Sequence, residues 1–561
     1  MASVHSISDR YVADTVALDP ITATFQGIAG YDDALTDYSP EGHAARAEVS
    51  GAALREMTGM RPNDEGERVA KAVFEERVGL DIEMYEAGLH TAALNVIESP
   101  AQTVRAVFDL MPTDTVEQWA TIATRLAAVP DAIAGYQTAL DYSVGKGVVA
   151  ALRQVEKVAQ RCAGWAGENG DASFFTTFVA GADAVAGVGP TLRAELDAAA
   201  RSANRAYGEL ATFLRERIAP HAPTEDAVGA DSYRLRSRVY LGAAIDLIEA
   251  YEWGWAEFTR VEAEMKDVSG RIKSGATLAE AAAVLDADPR YRLSGQRELA
   301  EWMQRLSDQA LADLRGVHFE IPDEVMRLDC RIAPPGGTLG AYYTSPADDF
   351  SRPGAMWWSV PADQEEFLTW RETSTVYHEG VPGHHLQVAT AVREAGRLNR
   401  FQRLLAWVPG YGEGWALYAE RLMREFGYLD DDGDLLGMLD AHLFRAARVI
   451  VDIGMHLKLP IPAGTGFHEG ERWTPELGLE FMTTRTITDP AHIRDEIDRY
   501  LGWPGQAPAY KLGERLWLAS RDELRARHGA RFDLKRFHME ALRMGPMGLD
   551  TLRECLAALE A

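Results

Sequence analysis

The chain has 561 residues, of which 47% are hydrophobic and 25% are charged, a balance that is ordinary for a folded soluble protein and argues against a disordered or low-complexity chain. Its formal net charge of −28 argues against a protein that binds nucleic acid or an anionic membrane, because both would repel it. A neutral or cationic substrate fits this charge better.

The amino terminus and the cysteines bear on location and chemistry. Residues 1–6 contain no basic stretch followed by an apolar run, and charged residues follow at positions 9 and 10. With no long uncharged apolar segment elsewhere, we expect a cytoplasmic protein. The three cysteines, Cys162, Cys330 and Cys555, lie far apart without a CxxC pair, which favours neither a disulfide framework nor a thiolate zinc site.

Helical patterns dominate the first part of the chain. Residues 69–144 and 191–214 are rich in Ala, Leu, Glu and Arg, with apolar residues three and four positions apart, as in amphipathic helices. A Pro- and Gly-rich loop at 333–337 is the best candidate for a boundary. We therefore predict a helical N-terminal lobe at 1–335 and a catalytic, metal-binding lobe at 336–561, which together form one cleft-containing unit.

The second part begins with one short strand and continues with helices. Residues 354–360 have the aromatic and β-branched content of a strand. One interpretation places this strand along a cleft, where an extended peptide pairs with its edge. Helical patterns follow at 364–379, from Glu413 to a stop at Gly427, and at 444–456. The predicted fold is mainly α, with a short β segment beside the helix that ends in a histidine motif.

A cluster of histidines is the most informative feature of the sequence. Only 14 residues are His, yet His378, His384 and His385 fall within eight positions, and Glu379 follows the first of them. In an HExxH helix, two histidines four positions apart bind one zinc ion and the intervening Glu activates a water. Here the step is six positions, which on an unbroken helix puts the two side chains about 120° apart and roughly 9 Å along the axis.

The residues between these histidines change that geometry. Gly-Val-Pro-Gly occupies 380–383, and Pro382 lacks the N–H that would bond to the carbonyl of His378. The helix must kink or bulge there, and two looped-out residues would restore the HExxH spacing with His384 as second ligand. His385 could replace His384, although it needs a larger bulge. In the alternative without metal, His378 packs in a core and the prolyl turn only connects two helices.

Four segments carry a resemblance to a known family. The more specific two are Tyr-His-Glu-Gly-Val-Pro-Gly-His-His-Leu-Gln at 377–387 and Gly-Glu-Gly-Trp-Ala-Leu-Tyr-Ala-Glu-Arg at 412–421, and the segments 448–456 and 504–511 extend the likeness. Over nearly its whole length the chain resembles the bacterial DUF885 family, which is similar to gluzincin metallopeptidases such as carboxypeptidase Taq and angiotensin-converting enzyme. The resemblance implies a large helical metallopeptidase-like fold with a deep central cleft.

The gluzincin likeness implies roles for further residues. A catalytic zinc keeps one position for water, so one protein ligand is needed besides two histidines. Glu413, 29 residues after His384, takes the place of the gluzincin glutamate, although the helix dipole also favours a glutamate there. Glu379 is then the general base. Tyr510, with Tyr500 as second choice, is the expected donor to the oxyanion of amide hydrolysis.

Other polar residues are candidates for supporting the site or binding substrate. Glu420, one heptad after the glutamate ligand, could orient a histidine. Arg499 or Lys511 could hold a substrate carboxylate, although either could be an ordinary surface cation. A polar stripe, which we interpret as structural support for the site, is formed by three residues at every fourth position of one helix: Arg448, Asp452 and His456.

The sequence thus predicts a metallopeptidase-like hydrolase with one Zn²⁺ ion per chain, bound by His378, His384 and Glu413, that cleaves a peptide or peptide-like amide. Zinc is preferred over manganese or cobalt because sites with two His and one Glu usually hold it. Two other hypotheses stay open: a metal-dependent hydrolase or lyase acting on a non-peptide small molecule, and a metal-free helical binding protein. The sequence does not indicate an oligomeric state.

Overall fold

Helices dominate the computed structural model of the chain, which describes residues 3–170, 172–333, 340–361 and 363–559. They account for 69% of the structure, so the predicted mainly α fold is confirmed. Two compact units are present: unit 1 comprises the residues up to Pro62, Phe74–Val228 and Asp495–Trp503, and unit 2 comprises Asn63–Val73, Gly229–Arg494 and the residues from Pro504. All but the first residue of the boundary predicted at 333–337 lies outside the described residues, so this boundary stays a prediction.

Unit 1 is a helical assembly around one apolar core. Its helices are α1 (Val4–Leu18), α2 (Pro20–Phe25), α3 (Pro40–Thr58), α4 (Glu65–Glu86, which begins in unit 2), α5 (Pro100–Ala106), α6 (Val116–Ala127), α7 (Val129–Lys146), α8 (Leu152–Ala166), α9 (Phe174–Ala180) and α10 (Pro190–Phe213). The core contains Trp119 and Tyr207, both fully buried. Local signals set helix ends: Thr115 and Gln118 form a capping box before α6, and Gly147 ends α7 in the left-handed conformation.

Unit 2 contains the other helices. They are α11 (Gly229–Leu241), α12 (Leu247–Ile272), α13 (Leu278–Ala287), α14 (Gly295–Leu314), α15 (Thr369–Glu379), α16 (His384–Arg393), α17 (Arg400–Leu404), α18 (Pro409–Glu425), α19 (Asp432–Leu457), α20 (Pro475–Arg485), α21 (Pro490–Gly502, which ends in unit 1), α22 (Ala509–His528), α23 (Leu534–Arg543) and α24 (Leu549–Ala557). α19 packs against α12 and α15, and α18 packs against α22. A Cβ on Gly414 of α18 would lie 2.5 Å from Gly513 of α22, so glycine permits this close crossing.

Among its described residues, unit 2 has five short strands. β1 (Arg292–Ser294) pairs antiparallel with β5 (Glu366–Leu368). In a second sheet, β4 (Gly354–Ser359) lies between β2 (Leu328–Ile332), to which it is parallel, and β3 (Gly340–Thr344), to which it is antiparallel. The strand predicted at 354–360 is therefore present, but the idea that a peptide pairs with its edge is wrong, because both of its edges are already paired.

Three helix starts differ from those predicted. α15 begins at Thr369 rather than at 364, because the residues before it pair as β5. α18 begins at Pro409, where proline suits the first turn of a helix. α19 begins at Asp432, because the Asp431 carboxylate accepts hydrogen bonds from two backbone N–H groups of its first turn. Strand pairing, a proline and a capping carboxylate, rather than apolar periodicity, set these three boundaries.

Among the described residues, no helix is both long enough and apolar enough to span a bilayer. The three cysteines are free, and Cys162 and Cys555 are buried. Cys330 is partly buried, and its Sγ lies 3.5 Å from Oγ of Ser307.

Candidate metal centre

The helix that carries the first histidine is interrupted before the second. α15 ends at Glu379, α16 begins at His384, and the residues between them lie outside helical geometry. Pro382 cannot donate the backbone hydrogen bond that a continuous helix would need. The distortion predicted from the sequence is present, and it takes the form of a complete break between two helices.

Close backbone contacts hold the break in one shape. A Cβ at Gly383 would lie 1.9 Å from the carbonyl oxygen of His378, so no larger residue fits there. The Gly383 N–H donates to the carbonyl of Tyr377 at 3.1 Å. The indole Nε1 of Trp415 on α18 donates to the carbonyl of Pro382 at 2.8 Å. The break is therefore fixed both to α15 and to α18, the helix of the third expected ligand.

The three expected ligands meet beside this break. Oε2 of Glu413 lies 3.2 Å from Nε2 of His378 and 3.5 Å from Nε2 of His384. The two imidazole rings are edge to face, with centroids 4.9 Å apart. One ligand atom from each residue lies within 4.8 Å of the other two, and both histidines are buried. This arrangement, the His-His-Glu cluster, could hold a metal ion.

Glu420 fixes the orientation of the first histidine. It is buried on α18, and its Oε1 accepts a hydrogen bond from Nδ1 of His378 at 2.8 Å. Nε2 of His378 is thereby aimed at the cluster. Burial lowers the pKa of His378, but hydrogen bonds to Glu413 and Glu420 outweigh burial and raise it to about 10. Against the effect of burial, the two histidines hold the pKa of Glu413 well below its usual value.

A chain of buried groups continues behind Glu420. Its Oε2 lies 3.4 Å from Nε2 of His442 on α19, and Nδ1 of His442 lies 2.9 Å from Nζ of Lys511 on α22. An ammonium can only donate, so Nδ1 of His442 accepts and its Nε2–H faces Glu420. Burial and the charge of Lys511 lower the pKa of His442 to about 4, which keeps it neutral. Donors therefore face Glu420 from both sides.

Lys511 belongs to a buried ionic cluster. Its side chain is 0% exposed, and Nζ donates to Glu257 at 3.0 Å and to Glu514 at 2.6 Å. Arg421 donates to the same two carboxylates. Lys511 is therefore neither a surface cation nor free to bind a substrate carboxylate, because protein groups already occupy its ammonium.

Glu379, the expected base, is buried at the end of α15 directly after His378. Burial raises the pKa of its carboxyl above the usual value of 4.5, while the charges of His384 and His378 oppose this effect. A raised pKa is the direction that suits a general base working near neutral pH.

His385 points away from the cluster. Its Nε2 lies 2.8 Å from the carbonyl oxygen of Val325 and donates to it, so its Nδ1 accepts from the hydroxyl of Tyr343, 3.0 Å away. Both ring nitrogens are thus occupied by protein groups. The structure places His384, not His385, beside His378 and Glu413.

Tyr510 lies at the start of α22 beside two arginines of α19. Its ring centroid is 5.8 Å from the guanidinium carbon of Arg445 and 4.8 Å from that of Arg448. The charge of Arg445 also lowers the pKa of Glu379, although burial dominates that pKa. Arg445 is therefore within electrostatic range of the expected base.

The rest of the predicted polar stripe has a structural role. Asp452 and His456 are fully buried on α19. Oδ2 of Asp452 accepts hydrogen bonds from the hydroxyl of Tyr233 at 2.5 Å and from the N–H of Gly505 at 2.9 Å. The His456 ring packs 5.7 Å from the Tyr233 ring. These contacts join α19 to neighbouring segments of unit 2.

Arg499 and Tyr500 belong to unit 1. There, Arg499 donates to Glu496 at 3.0 Å and the hydroxyl of Tyr500 donates to the same carboxylate at 2.7 Å. The proposed roles of these two residues toward a substrate stay predictions.

His442 is a site residue that the sequence patterns do not single out. It lies on α19 and is 1% exposed. The sequence signal is a histidine with apolar residues at 438, 439 and 446 on the same helix face. Its partners, Glu420 and Lys511, lie on other helices, so spacing along the chain could not connect them.

Most of the chain is similar to one sequence family and to solved structures. The sequence profile of DUF885, described as a bacterial protein of unknown function, matches residues 20–556. No curated protein matches the chain. A crystal structure described as "the putative lipoprotein from Colwellia psychrerythraea" is 22% identical, with a TM-score of 0.84 over 99% of this chain and 98% of that chain. A structure described as "a putative lipoprotein of unknown function from Shewanella oneidensis" is 17% identical, with a TM-score of 0.77 over 99% of this chain and 100% of that chain.

At these identities the two structures share a fold with this chain and indicate nothing further. The sequence profile, in contrast, covers most of the chain and confirms the resemblance seen in its motifs. The chain belongs to the DUF885 family.

Proposed function

We propose that this protein is a zinc-dependent hydrolase that cleaves a peptide or peptide-like amide bond. The observation that carries the proposal is the meeting of His378, His384 and Glu413, with the carboxylic acid of Glu379 buried next in sequence to the first of them. Two histidines and one glutamate form the ligand set of a catalytic zinc site that keeps a position open for water.

The distances in the His-His-Glu cluster support a zinc ion. Ligand atoms about 2.0–2.1 Å from a tetrahedral zinc ion lie about 3.3 Å from one another. Glu413 Oε2 lies 3.2 Å and 3.5 Å from the two imidazole nitrogens. Charge also supports a cation, because three carboxyl groups are gathered here and buried ones are costly without positive partners. Glu379 and Glu420 are buried, and the Glu413 side chain is 21% exposed.

Protein groups supply the proton transfers in this proposal. Zinc, when bound, polarises the scissile carbonyl and lowers the pKa of water. Glu379 takes a proton from the attacking water and passes it to the leaving amine, and its raised pKa suits both steps. Glu420 keeps the Nε2 of His378 aimed at the cluster through its hydrogen bond to Nδ1.

Tyr510 is our candidate for stabilising the oxyanion of amide hydrolysis. The next residue is Lys511, whose ammonium donates a hydrogen bond to His442. His442 in turn faces Glu420. It also packs beside Arg445, whose charge acts on Glu379. Tyr510→Phe should lower kcat by about 10²–10³ while zinc content stays unchanged, because the hydroxyl acts on the reaction and not on the metal.

A turnover assay on zinc-loaded protein with a peptide library tests the proposal. Glu379→Gln is the paired variant, since glutamine cannot accept the proton and this residue is not a ligand; it should retain zinc and lose turnover. Absence of peptide cleavage by the zinc-loaded wild type, or wild-type turnover by Glu379→Gln, would show that the proposal is wrong. Turnover of a non-peptide small molecule alone would favour the metal-dependent hydrolase or lyase.

A further inference from the structure

An exposed tryptophan lies next to the His-His-Glu cluster. Trp407 is in the loop between α17 and α18, and its side chain is 42% exposed. Its ring centroid is 6.2 Å from that of His384, with an angle of 57° between the ring planes. Trp407 therefore presents an apolar surface to solvent immediately beside an expected metal ligand.

Two neighbours hold the Trp407 indole in place. A Cβ on Gly412 would lie 2.1 Å from Cζ2 and 2.3 Å from Cη2 of the indole, so the six-membered ring rests directly on the backbone before Glu413. Tyr411 packs against it edge to face, with ring centroids 6.3 Å apart. The indole is thus fixed on one side by the helix that carries a ligand, and its remaining surface is open.

Exposure increases across the cluster toward Trp407. The side chain of His378 is 4% exposed, that of His384 is 10% exposed and that of Glu413 is 21% exposed. Glu420 and His442 are each 1% exposed, whereas Glu413 is the most exposed member of the cluster and follows Gly412, on which the Trp407 indole rests. A substrate approaching from solvent would meet the indole.

We propose that Trp407 forms the wall of a substrate subsite beside the metal ligands and selects substrates with an aromatic or bulky apolar group next to the scissile bond. The inference rests on the proposed function and adds the substrate class to it. Large apolar groups gain from burial against a fixed indole, and aromatic groups also gain from edge-to-face or offset contact. Small side chains gain little.

Binding of two metal-chelating probes tests this subsite without requiring catalysis. The probes are the hydroxamates of N-acetyl-phenylalanine and N-acetyl-alanine, added to zinc-loaded protein in a calorimeter. Wild type should bind the phenylalanine compound about tenfold more tightly, the discrimination that an apolar pocket gives for a few carbon atoms. Trp407→Ala should bring the ratio near one, while Trp407→Phe should keep most of it.

Tyr342→Ala is the matched control, since Tyr342 is 43% exposed but stacks on Trp357 in the β3–β4 sheet. It should keep the wild-type ratio. Equal binding of the two probes by wild type, or an unchanged ratio in Trp407→Ala with zinc content retained, overturns the inference. Selective probe binding by a protein that cleaves no peptide would support the subsite and contradict the proposed hydrolase, so the two failures are distinguishable.

Discussion

Replacing His442 with leucine tests the buried chain behind the metal centre. His442 is 1% exposed, accepts a hydrogen bond from Lys511 and faces Glu420 with its other nitrogen. Leucine fills similar space but leaves a buried ammonium and a buried carboxylate each short of one partner. At about 1–3 kcal/mol for each unsatisfied group, the free energy of unfolding of the metal-free protein should fall by about 3 kcal/mol.

The same substitution should weaken zinc binding. Glu420 aims His378 at the cluster, and His442 is the second donor that faces Glu420. Loss of a group that supports a metal ligand typically costs 10- to 100-fold in metal affinity, so His442→Leu should raise the Kd for zinc by about that factor. A competition titration against a zinc chelator measures this Kd, and urea unfolding of the metal-free protein measures stability.

Glutamine at position 442 separates the hydrogen bonds from simple packing. Its amide oxygen can accept from Lys511 and its NH₂ group can donate to Glu420. His442→Gln should therefore keep the zinc Kd within about threefold of wild type, well inside the loss expected for leucine. If the leucine and glutamine variants bind zinc as tightly as wild type does, the chain behind Glu420 does not position the ligand and the reasoning is refuted.

Three further predictions use other parts of unit 2. Gly383→Ala should destabilise the protein by more than about 2 kcal/mol in urea unfolding and reduce zinc content, whereas Gly396→Ala, with open space around its added Cβ, should be neutral. His384→Ala should lose zinc in metal analysis and His385→Ala should keep most of it; the reverse result would show that the ligand choice is wrong. Burial would raise the pKa of Glu257, but its cationic partners lower it to about 2. Ionised Glu257 therefore stabilises the folded protein above pH 4.5. This contribution to the free energy of unfolding, at most about 3 kcal/mol, is lost as the pH falls toward 2. Urea unfolding between pH 2 and 6 should show a smaller pH dependence in Glu257→Gln, and an unchanged dependence would contradict the assignment.

The proximity of the three expected ligands could be predicted because the sequence motifs that contain them are short and their spacing is regular. His378 and His384 flank a prolyl break that the sequence makes visible, and the structure brings them to Glu413. Glu420 follows Glu413 by two helical turns, so both share a face of α18. The spacing of these residues along the sequence is enough to predict that they lie close together.

The contacts around the site join residues that are far apart in the sequence, so spacing along the chain does not predict them. Lys511 binds Glu257, 254 residues earlier, and His442, 69 residues earlier. From sequence, Lys511 is a candidate to hold a substrate carboxylate or an ordinary surface cation, because lysine is usually exposed. Its partners lie on α12 and α19, so its burial depends on helices that are distant in the sequence.

The sheet shows the same limit. The aromatic residues of β4 indicate a strand, but its position in the sheet depends on β2 and β3. A strand next to a histidine motif could be central or at an edge, and only the pairing partners decide. The structure makes β4 central, which removes it as a template for an extended peptide.

Zinc stoichiometry tests whether His378, His384 and Glu413 bind a metal ion. Wild-type protein and Glu413→Ala are loaded with zinc, desalted and analysed by inductively coupled plasma mass spectrometry. We expect about one zinc ion per chain in the wild type and less than about a tenth in Glu413→Ala, because two histidines alone hold zinc weakly. Less than about a tenth of an equivalent in the wild type, or equal zinc in both proteins, would contradict a metal centre at His378, His384 and Glu413.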